Sequence, residues 1–172
     1  GTLSSSPAGA AGDARFVVLS LPSSETVREV CLGAGGICEG AEEGLLVIDT
    51  TTARPEDSAE IAGALELRGI GFLDASLSGS SKSAWKRDLV AMVGGSEPDF
   101  ERARPLLNAI ARSSYYLGPS GAGARTKLIV NLVLGLNRLA LAEGLVLGMK
   151  ADMNLETLLA VLKDGAAYSR EM

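Results

Sequence analysis

The sequence contains no histidine, and only two of its 172 residues are cysteine. Without histidine, imidazole-based metal sites and the commonest general acid and base of neutral-pH catalysis are both excluded. Cys31 and Cys38 are too few for a four-thiolate metal site, so we predict no metal site. Any proton transfer must therefore use lysine, an acidic side chain, tyrosine or cysteine. We interpret both cysteines as reduced residues in or near the core.

Positive charge is also scarce, because 16 lysine and arginine residues stand against 21 acidic residues, for a formal net charge of −5. Binding to a phosphate backbone needs clustered cations, so this balance argues against nucleic acid as a partner. The first 15 residues have neither the basic segment nor the apolar segment of a secretory signal. These absences predict a cytoplasmic protein that does not bind nucleic acid.

Hydrophobic residues make up 47% of the chain, which predicts a folded domain with a substantial core. Short apolar runs typical of strands alternate with helical patterns along the first two thirds of the sequence. This alternation predicts an α/β fold with a parallel sheet. From about Gly121 the strand signals stop, so we place a domain boundary near Pro119, between residues 1–119 and 120–172.

Residues 128–149 are apolar over about the length that spans a bilayer. Asn131, Asn137, Arg138 and Glu143 lie within this segment, and each charge at the middle of a bilayer costs on the order of 2.5 to 3.5 kcal/mol. We therefore predict a helix packed between two domains or two subunits, and not a membrane span. Such a helix also predicts a homodimer or a higher homo-oligomer.

Lys127 and Asn131 interrupt the apolar start of this helix at a spacing of four residues, which puts both side chains on one face. A lysine in an apolar setting has a lowered pKa, which suits it to exchange protons near neutral pH. On spacing alone, a lysine that extends to solvent and an asparagine that caps a neighbouring loop remain the simpler interpretation.

Two polar segments lie near the ends of predicted strands. Residues 49–52, DTTT, end a buried strand at the edge where ligands bind in open α/β sheets, and a threonine here is equally suited to cap the next helix. Residues 74–84, DASLSGSSKSA, cluster hydroxyls around Gly79, which suits a carboxylate ligand or an ordinary polar turn. We interpret residues 33–40, GAGGICEG, as a turn and not a phosphate loop, because no Lys-Ser or Lys-Thr follows.

In order along the chain, these segments resemble the β-hydroxyacid dehydrogenase family, which includes 3-hydroxyisobutyrate dehydrogenase. The matching stretches are VVLSLPSSETVREV, GLLVIDTTT, FLDASLSGSSKSAWKRDLVAMVGG and GPSGAGARTKLIVNLVLG. The resemblance implies part of a Rossmann-type parallel sheet, then a long interdomain helix and the start of an all-helical domain. It also implies an NAD(P)-dependent enzyme that transfers a hydride between the nicotinamide cofactor and a small β-hydroxy acid or its semialdehyde.

The same resemblance assigns roles to individual residues. Lys127 would be the general acid and base, and Asn131 would help to orient the substrate. The substrate carboxylate would be held by Ser78, Gly79 and Ser80. The residues expected along the cofactor are Leu21, Pro22, Thr26 and Thr52.

The chain also departs from the family pattern. The Gly-x-Gly-x-x-Gly turn that holds the cofactor pyrophosphate is not found in the 172 residues, and the choice between NAD and NADP stays open. The resemblance therefore implies a fragment without that N-terminal turn and without the C-terminal helices, from which we expect little or no turnover. Ser80 and Arg87 stand where the family usually has glycine. Two alternatives remain: a non-catalytic module for oligomerisation or partner binding, and an imine reductase of the same architecture.

Overall fold

A computed structural model of the chain describes residues 1 and 3–169, which form two compact units. The first unit runs from Gly1 to Lys127 and the second begins at Leu128. The first unit contains a five-stranded sheet of order β1-β2-β3-β4-β5. Its strands are β1 (Phe16–Leu19), β2 (Leu46–Asp49), β3 (Gly71–Ser78), β4 (Val90–Gly94) and β5 (Ser113–Tyr116). The α/β class predicted from the sequence is confirmed, with a sheet that is mainly and not wholly parallel.

Eight helices are formed by the described residues. In chain order they are α1 (Pro7–Ala11), α2 (Ser24–Leu32), α3 (Ile37–Gly40), α4 (Pro55–Glu66), α5 (Ser81–Trp85), α6 (Glu97–Ile110), α7 (Ala122–Lys150) and α8 (Leu155–Asp164). The longer helices α2, α4, α6, α7 and α8 agree with the helical patterns of the sequence. The short helix α3 lies in residues 33–40, which we interpreted as a turn, and α5 lies in residues 74–84, for which a polar turn was one of two interpretations.

Local sequence explains where the longer helices begin. Ser23 caps α2 by accepting a hydrogen bond from the N–H of Thr26, and Ser96 caps α6 in the same way. α4 begins at Pro55, whose ring pre-sets the helical backbone. The residue before it, Arg54, makes no side-chain capping bond, so no threonine of residues 50–52 caps this helix.

One pair of strands departs from the predicted parallel arrangement. β4 runs antiparallel to β3, with Asp74 opposite Gly94 and Ser78 opposite Val90. The connection spans residues 79–89 and contains only the short helix α5, which is less chain than a parallel crossover needs. Arg87 in this connection has a φ of 57°, in the left-handed region that favours glycine. The other neighbouring strands pair in parallel, so β1, β2 and β3 share one carboxyl edge.

Both faces of the central strands are buried. Leu46 and Ile48 of β2 pack in one apolar cluster, whereas Val47 between them packs in another. Phe72 and Leu73 of β3 divide between the two clusters in the same way. Because successive side chains of a strand point to opposite faces, the two clusters lie on opposite sides of the sheet. The carboxyl ends of β2 and β3 therefore hold polar residues in well-packed surroundings.

α7 is long and apolar, and most of its surface is exposed. It is long and apolar enough to cross a membrane, with a mean hydropathy of 1.5 over its most apolar stretch, of which 6% is buried. One such helix is weak evidence for a span, because length and hydropathy do not distinguish lipid from covering protein. The absence of a membrane partner therefore stays a prediction.

Candidate functional site

Lys127 lies in the second turn of α7 and reaches the end of β3. Its Nζ donates a hydrogen bond of 2.7 Å to the carbonyl oxygen of Leu77. That carbonyl belongs to the peptide group that joins Leu77 to Ser78, so the amine lies beside the predicted carboxylate-binding segment. Burial lowers the pKa of Lys127 from the usual 10.5. The structure thus brings the predicted acid and base together with the start of the predicted substrate segment.

A second residue of β3, Asp74, holds the start of α7. Its Oδ1 accepts a hydrogen bond of 2.8 Å from the N–H of Gly121, and its Oδ2 accepts one of 2.8 Å from the N–H of Ala124. The side chain is only 1% exposed. Burial raises the pKa of Asp74, and hydrogen bonds from the helix N–H groups oppose that rise. Since Asp74 and Leu77 are on the same strand, β3 fixes α7 at its first turn and again at Lys127.

The glycines before Lys127 allow α7 to approach the sheet closely. A Cβ at Gly123 would overlap the carbonyl oxygens of Asp74 and Met92. Gly121 has a φ of 92°, which other residues rarely adopt. The glycine-rich segment before the helix therefore sets how near Lys127 comes to β3.

This close approach predicts opposite effects for two substitutions in the same helix. Gly123→Ala is expected to lower the free energy of unfolding by about 2 kcal/mol, because the new methyl group meets backbone that cannot rotate away. Gly135→Ala, where a Cβ meets nothing within 4 Å, is expected to raise it by up to about 1 kcal/mol through helix propensity. Denaturant unfolding of both variants measures the difference. Equal effects would contradict the close packing.

The predicted carboxylate-binding residues lie where β3 ends. Ser78 is the last residue of the strand and is half-buried, whereas Gly79 and Ser80 are exposed in the connection that follows. Gly79 has a φ of 140°, and a Cβ there would lie 2.5 Å from a methyl group of Leu89. The Ser80 hydroxyl accepts a hydrogen bond of 3.2 Å from the N–H of Ser83. Ser80 therefore also caps α5, a role that its place in the sequence did not reveal.

The predicted cofactor residues lie at the carboxyl ends of β1 and β2. Leu21 and Pro22 follow β1, and Thr52 follows β2. Thr26 is half-buried in the first turn of α2, with its hydroxyl 3.2 Å from that of Ser23. The exposed ring of Pro22 and the exposed Thr52 provide an apolar surface and a hydroxyl at one edge, which suits the nicotinamide end of a dinucleotide.

Four residues of the polar segments 49–52 and 74–84 are buried, and the sequence assigned none of them a role of its own: Asp49, Thr51, Asp74 and Ser76. Asp49 and Asp74 are register partners on β2 and β3. Burial raises the pKa of Asp49, and the neighbouring Asp74 adds to that rise. The signal was present, because an acidic residue within or at the end of a fully apolar strand needs a buried partner.

Asn131, the remaining predicted substrate residue, lies in the second compact unit, one helical turn after Lys127 along α7. Its role stays a prediction.

Within residues 1 and 3–169, no group of three or more histidine, cysteine or acidic side chains is arranged to hold a metal ion. Cys31 is fully buried, and burial raises the pKa of its thiol to about 12, so it is an inert core residue.

Comparison with known protein families covers both parts of this site. Residues 1–118 match the NAD-binding domain of 6-phosphogluconate dehydrogenase. Residues 121–172 match the family described as NAD-binding of NADP-dependent 3-hydroxyisobutyrate dehydrogenase. The chain belongs to the β-hydroxyacid dehydrogenase family. The resemblance predicted from the sequence is thereby confirmed, and both matched domains are described as binding a nicotinamide cofactor.

Similar proteins within this family are named dehydrogenases. The 2-(hydroxymethyl)glutarate dehydrogenase of Eubacterium barkeri is 35% identical over 91% of this chain and 52% of its own length. The mitochondrial 3-hydroxyisobutyrate dehydrogenase of Mus musculus is 35% identical over 93% of this chain and 48% of its own. A structure of Mycobacterium tuberculosis 3-hydroxyisobutyrate dehydrogenase with L-serine is 32% identical, with a TM-score of 0.86 over 94% of this chain and 55% of the other. The chain thus spans about half the length of these relatives.

Proposed function

We propose that the protein transfers a hydride between NAD or NADP and a small β-hydroxy acid or its semialdehyde, with Lys127 as the general acid and base. The observation that carries this proposal is the hydrogen bond of 2.7 Å between Lys127 Nζ and the carbonyl oxygen of Leu77. It puts an amine of lowered pKa beside the peptide group that joins Leu77 to Ser78. Ser78, Gly79 and Ser80, which begin there, would hold the substrate carboxylate. Asn131 would orient the substrate from the next turn of the helix.

The bond to Leu77 explains how the amine would act. A neutral lysine has two N–H groups and one lone pair, and donating one N–H to the Leu77 carbonyl leaves the lone pair for a substrate hydroxyl. In the oxidative direction, Lys127 would take the hydroxyl proton as the carbon loses its hydride and becomes a carbonyl. In reduction, the ammonium would return the proton to the oxygen. Burial favours the neutral form and makes both directions accessible.

The cofactor would be held at the carboxyl edge of β1 and β2 by Leu21, Pro22, Thr26 and Thr52. When bound there, its nicotinamide ring accepts or supplies the hydride. Leu21 and Pro22 would cover the ring, and the two threonine hydroxyls would supply polar contacts. Lys127 and the cofactor residues belong to the first compact unit, which makes this unit the centre of the proposed chemistry.

A cofactor titration combined with a substrate panel tests the proposal. The test uses the intact protein, by which we mean one of the relatives' full length. We expect NADH or NADPH fluorescence to change on binding to it. We also expect one of 3-hydroxyisobutyrate, 2-(hydroxymethyl)glutarate or L-serine to support reduction of the oxidised cofactor. These compounds are chosen from the names of the relatives described above. Absence of binding and turnover, in a protein that still self-associates, would support the non-catalytic alternative.

We also propose that a second copy of the chain covers the apolar face of α7. Leu132, Leu136 and Leu139 are 63%, 55% and 57% exposed, and their spacing puts them on one side of the helix. That much apolar surface favours association over exposure to water.

We further propose a cytoplasmic location without nucleic acid or membrane partners, although a relative is mitochondrial.

Light scattering tests this self-association. The wild-type protein is expected to have at least twice the mass of one chain, and Leu136→Asp is expected to shift it toward the monomer by introducing a charge into the apolar face. Lys150→Asp, at the exposed end of the same helix, is the matched control and should not change the mass. A monomeric wild-type protein would contradict the proposal.

A further inference from the structure

Asp49 is a buried carboxyl whose hydrogen bonds come from one neighbouring residue. The side chain is 1% exposed, and no lysine or arginine among the described residues forms an ion pair with it. Its Oδ1 accepts a hydrogen bond of 2.9 Å from the N–H of Thr51. Since a buried acid without a cation is costly, its position needs an explanation beyond packing.

The second partner of Thr51 supplies that explanation. The Thr51 Oγ1 accepts a hydrogen bond of 3.0 Å from the N–H of Leu21. Thr51 thus has two bonds of different kinds: its hydroxyl oxygen accepts from Leu21, and its N–H donates to the Asp49 carboxyl. Thr51 is itself only 4% exposed, so water has little access to its hydroxyl as a replacement partner. The three residues therefore form a chain in which Asp49 holds the backbone of Thr51, and the Thr51 hydroxyl holds the N–H of Leu21.

This chain fixes a segment that regular secondary structure leaves free. β1 ends at Leu19, so the N–H of Leu21 lies beyond the hydrogen-bonded ladder of the sheet. The next residue, Pro22, has no N–H to donate. The bond to Thr51 is therefore the attachment through which β2 holds the Leu21–Pro22 loop.

We infer that Asp49 is a positioning residue for the cofactor: acting through Thr51, it holds the Leu21–Pro22 loop in the conformation that covers the nicotinamide ring. This inference rests on the proposed function, because that function puts the ring against this loop. In this proposal Asp49 would contact neither the ring nor the substrate, and its effect would reach them through Thr51. Ser76 supports the same residue from β3, since its hydroxyl donates a bond of 3.4 Å to the Thr51 carbonyl.

We call the hydrogen bond from the Leu21 N–H to the Thr51 hydroxyl the clamp. Hydrogen exchange of the Leu21 amide, followed by NMR, measures the strength of this clamp without any measurement of activity. Thr51→Val removes the hydroxyl at nearly constant volume and is expected to speed exchange of this amide about tenfold. Thr51→Ser keeps the hydroxyl and should restore slow exchange. Thr50→Val is the matched control, because the Thr50 hydroxyl bonds to the Leu19 carbonyl and not to Leu21. Unchanged exchange at Leu21 in Thr51→Val would contradict the clamp.

Cofactor binding by the same variants tests the positioning role. Thr51→Val and Asp49→Asn are both expected to raise the KM for the nicotinamide cofactor about tenfold while kcat changes less than twofold, and Thr51→Ser should stay near wild type. The double variant should be no worse than Thr51→Val, because Asp49 acts through Thr51. Faster Leu21 exchange with unchanged cofactor affinity would overturn the positioning role. Failure of the wild-type protein to bind NADH or NADPH would instead contradict the proposed function, while the exchange of Leu21 still measures the clamp.

Discussion

Replacing Lys127 by alanine in the intact protein is expected to lower kcat about a thousandfold. A positioned general acid or base contributes on the order of a hundredfold to ten-thousandfold, and the sequence contains no histidine that could take its place. Cofactor affinity should stay near wild type, because the predicted cofactor residues lie at the carboxyl ends of β1 and β2 and Lys127 contacts β3. Steady-state kinetics and NADH or NADPH titration together separate the two effects.

The pH profile gives a second test of the same residue. Burial lowers the pKa of Lys127 below 10.5, so the rate of alcohol oxidation should rise with pH through that lowered pKa as the amine loses its proton. The rate of the reverse reduction should fall over the same range, because it needs the ammonium. Lys127→Ala should lose both dependences.

Lys150→Ala is the matched control for this substitution, since it removes an exposed lysine from the last turn of the same helix. Its kcat and pH profile should equal those of the wild-type protein. Normal turnover in Lys127→Ala would remove Lys127 from the mechanism.

Asp74→Ala is expected to lower the free energy of unfolding by about 3 kcal/mol. The substitution leaves the N–H groups of Gly121 and Ala124 without their acceptor, and each buried group left unpaired costs about 1 to 3 kcal/mol. Asp74→Asn, which keeps one acceptor oxygen, should lose about half as much. Denaturant unfolding at neutral pH measures all three proteins.

An exposed acid in the next connection is the control for Asp74. Asp88 pairs with Arg112 at 3.0 Å, and both side chains are about half exposed, so Asp88→Ala should change stability by less than about 1 kcal/mol. A loss as small as this in Asp74→Ala would show that α7 is held by other contacts.

The raised pKa of Asp74 adds a pH dependence with a definite sign. The folded protein binds this proton more tightly than the unfolded chain, whose carboxyl has the ordinary value of 3.8. The contribution of Asp74 to the free energy of unfolding is therefore highest below 3.8 and falls as the pH rises through the raised folded pKa. Asp49 has the same sign, because its pKa is raised by burial as well. In Asp74→Ala the fall over this range should be smaller than in the wild-type protein.

Sequence alone identified the family, the α/β class and the principal strands and helices. These features depend on local patterns. Apolar runs give strands, and Pro55 starts a helix. The family follows from four motifs in order along the chain, of which the segment around Lys127 is the last. Because the sequence contains no histidine, lysine is one of the few side chains that could act as the base. Local pattern did not reveal the direction of β4, which depends on how little chain joins it to β3.

The tertiary structure decided which polar groups meet. Asp74 lies 47 residues before Gly121, and Leu21 lies 30 residues before Thr51, so no local spacing could pair them. Leu21 meets Thr51 because β1 and β2 are parallel and their carboxyl ends lie at one edge. Asp74 meets Gly121 because α7 begins against β3, and burial obliges each polar group to find a partner. The sequence by itself determined that Lys127 is the candidate base. Only the fold decided that the Leu77 carbonyl accepts a hydrogen bond from Lys127, that Asp74 accepts hydrogen bonds from the first turn of α7, and that the Thr51 hydroxyl accepts one from Leu21.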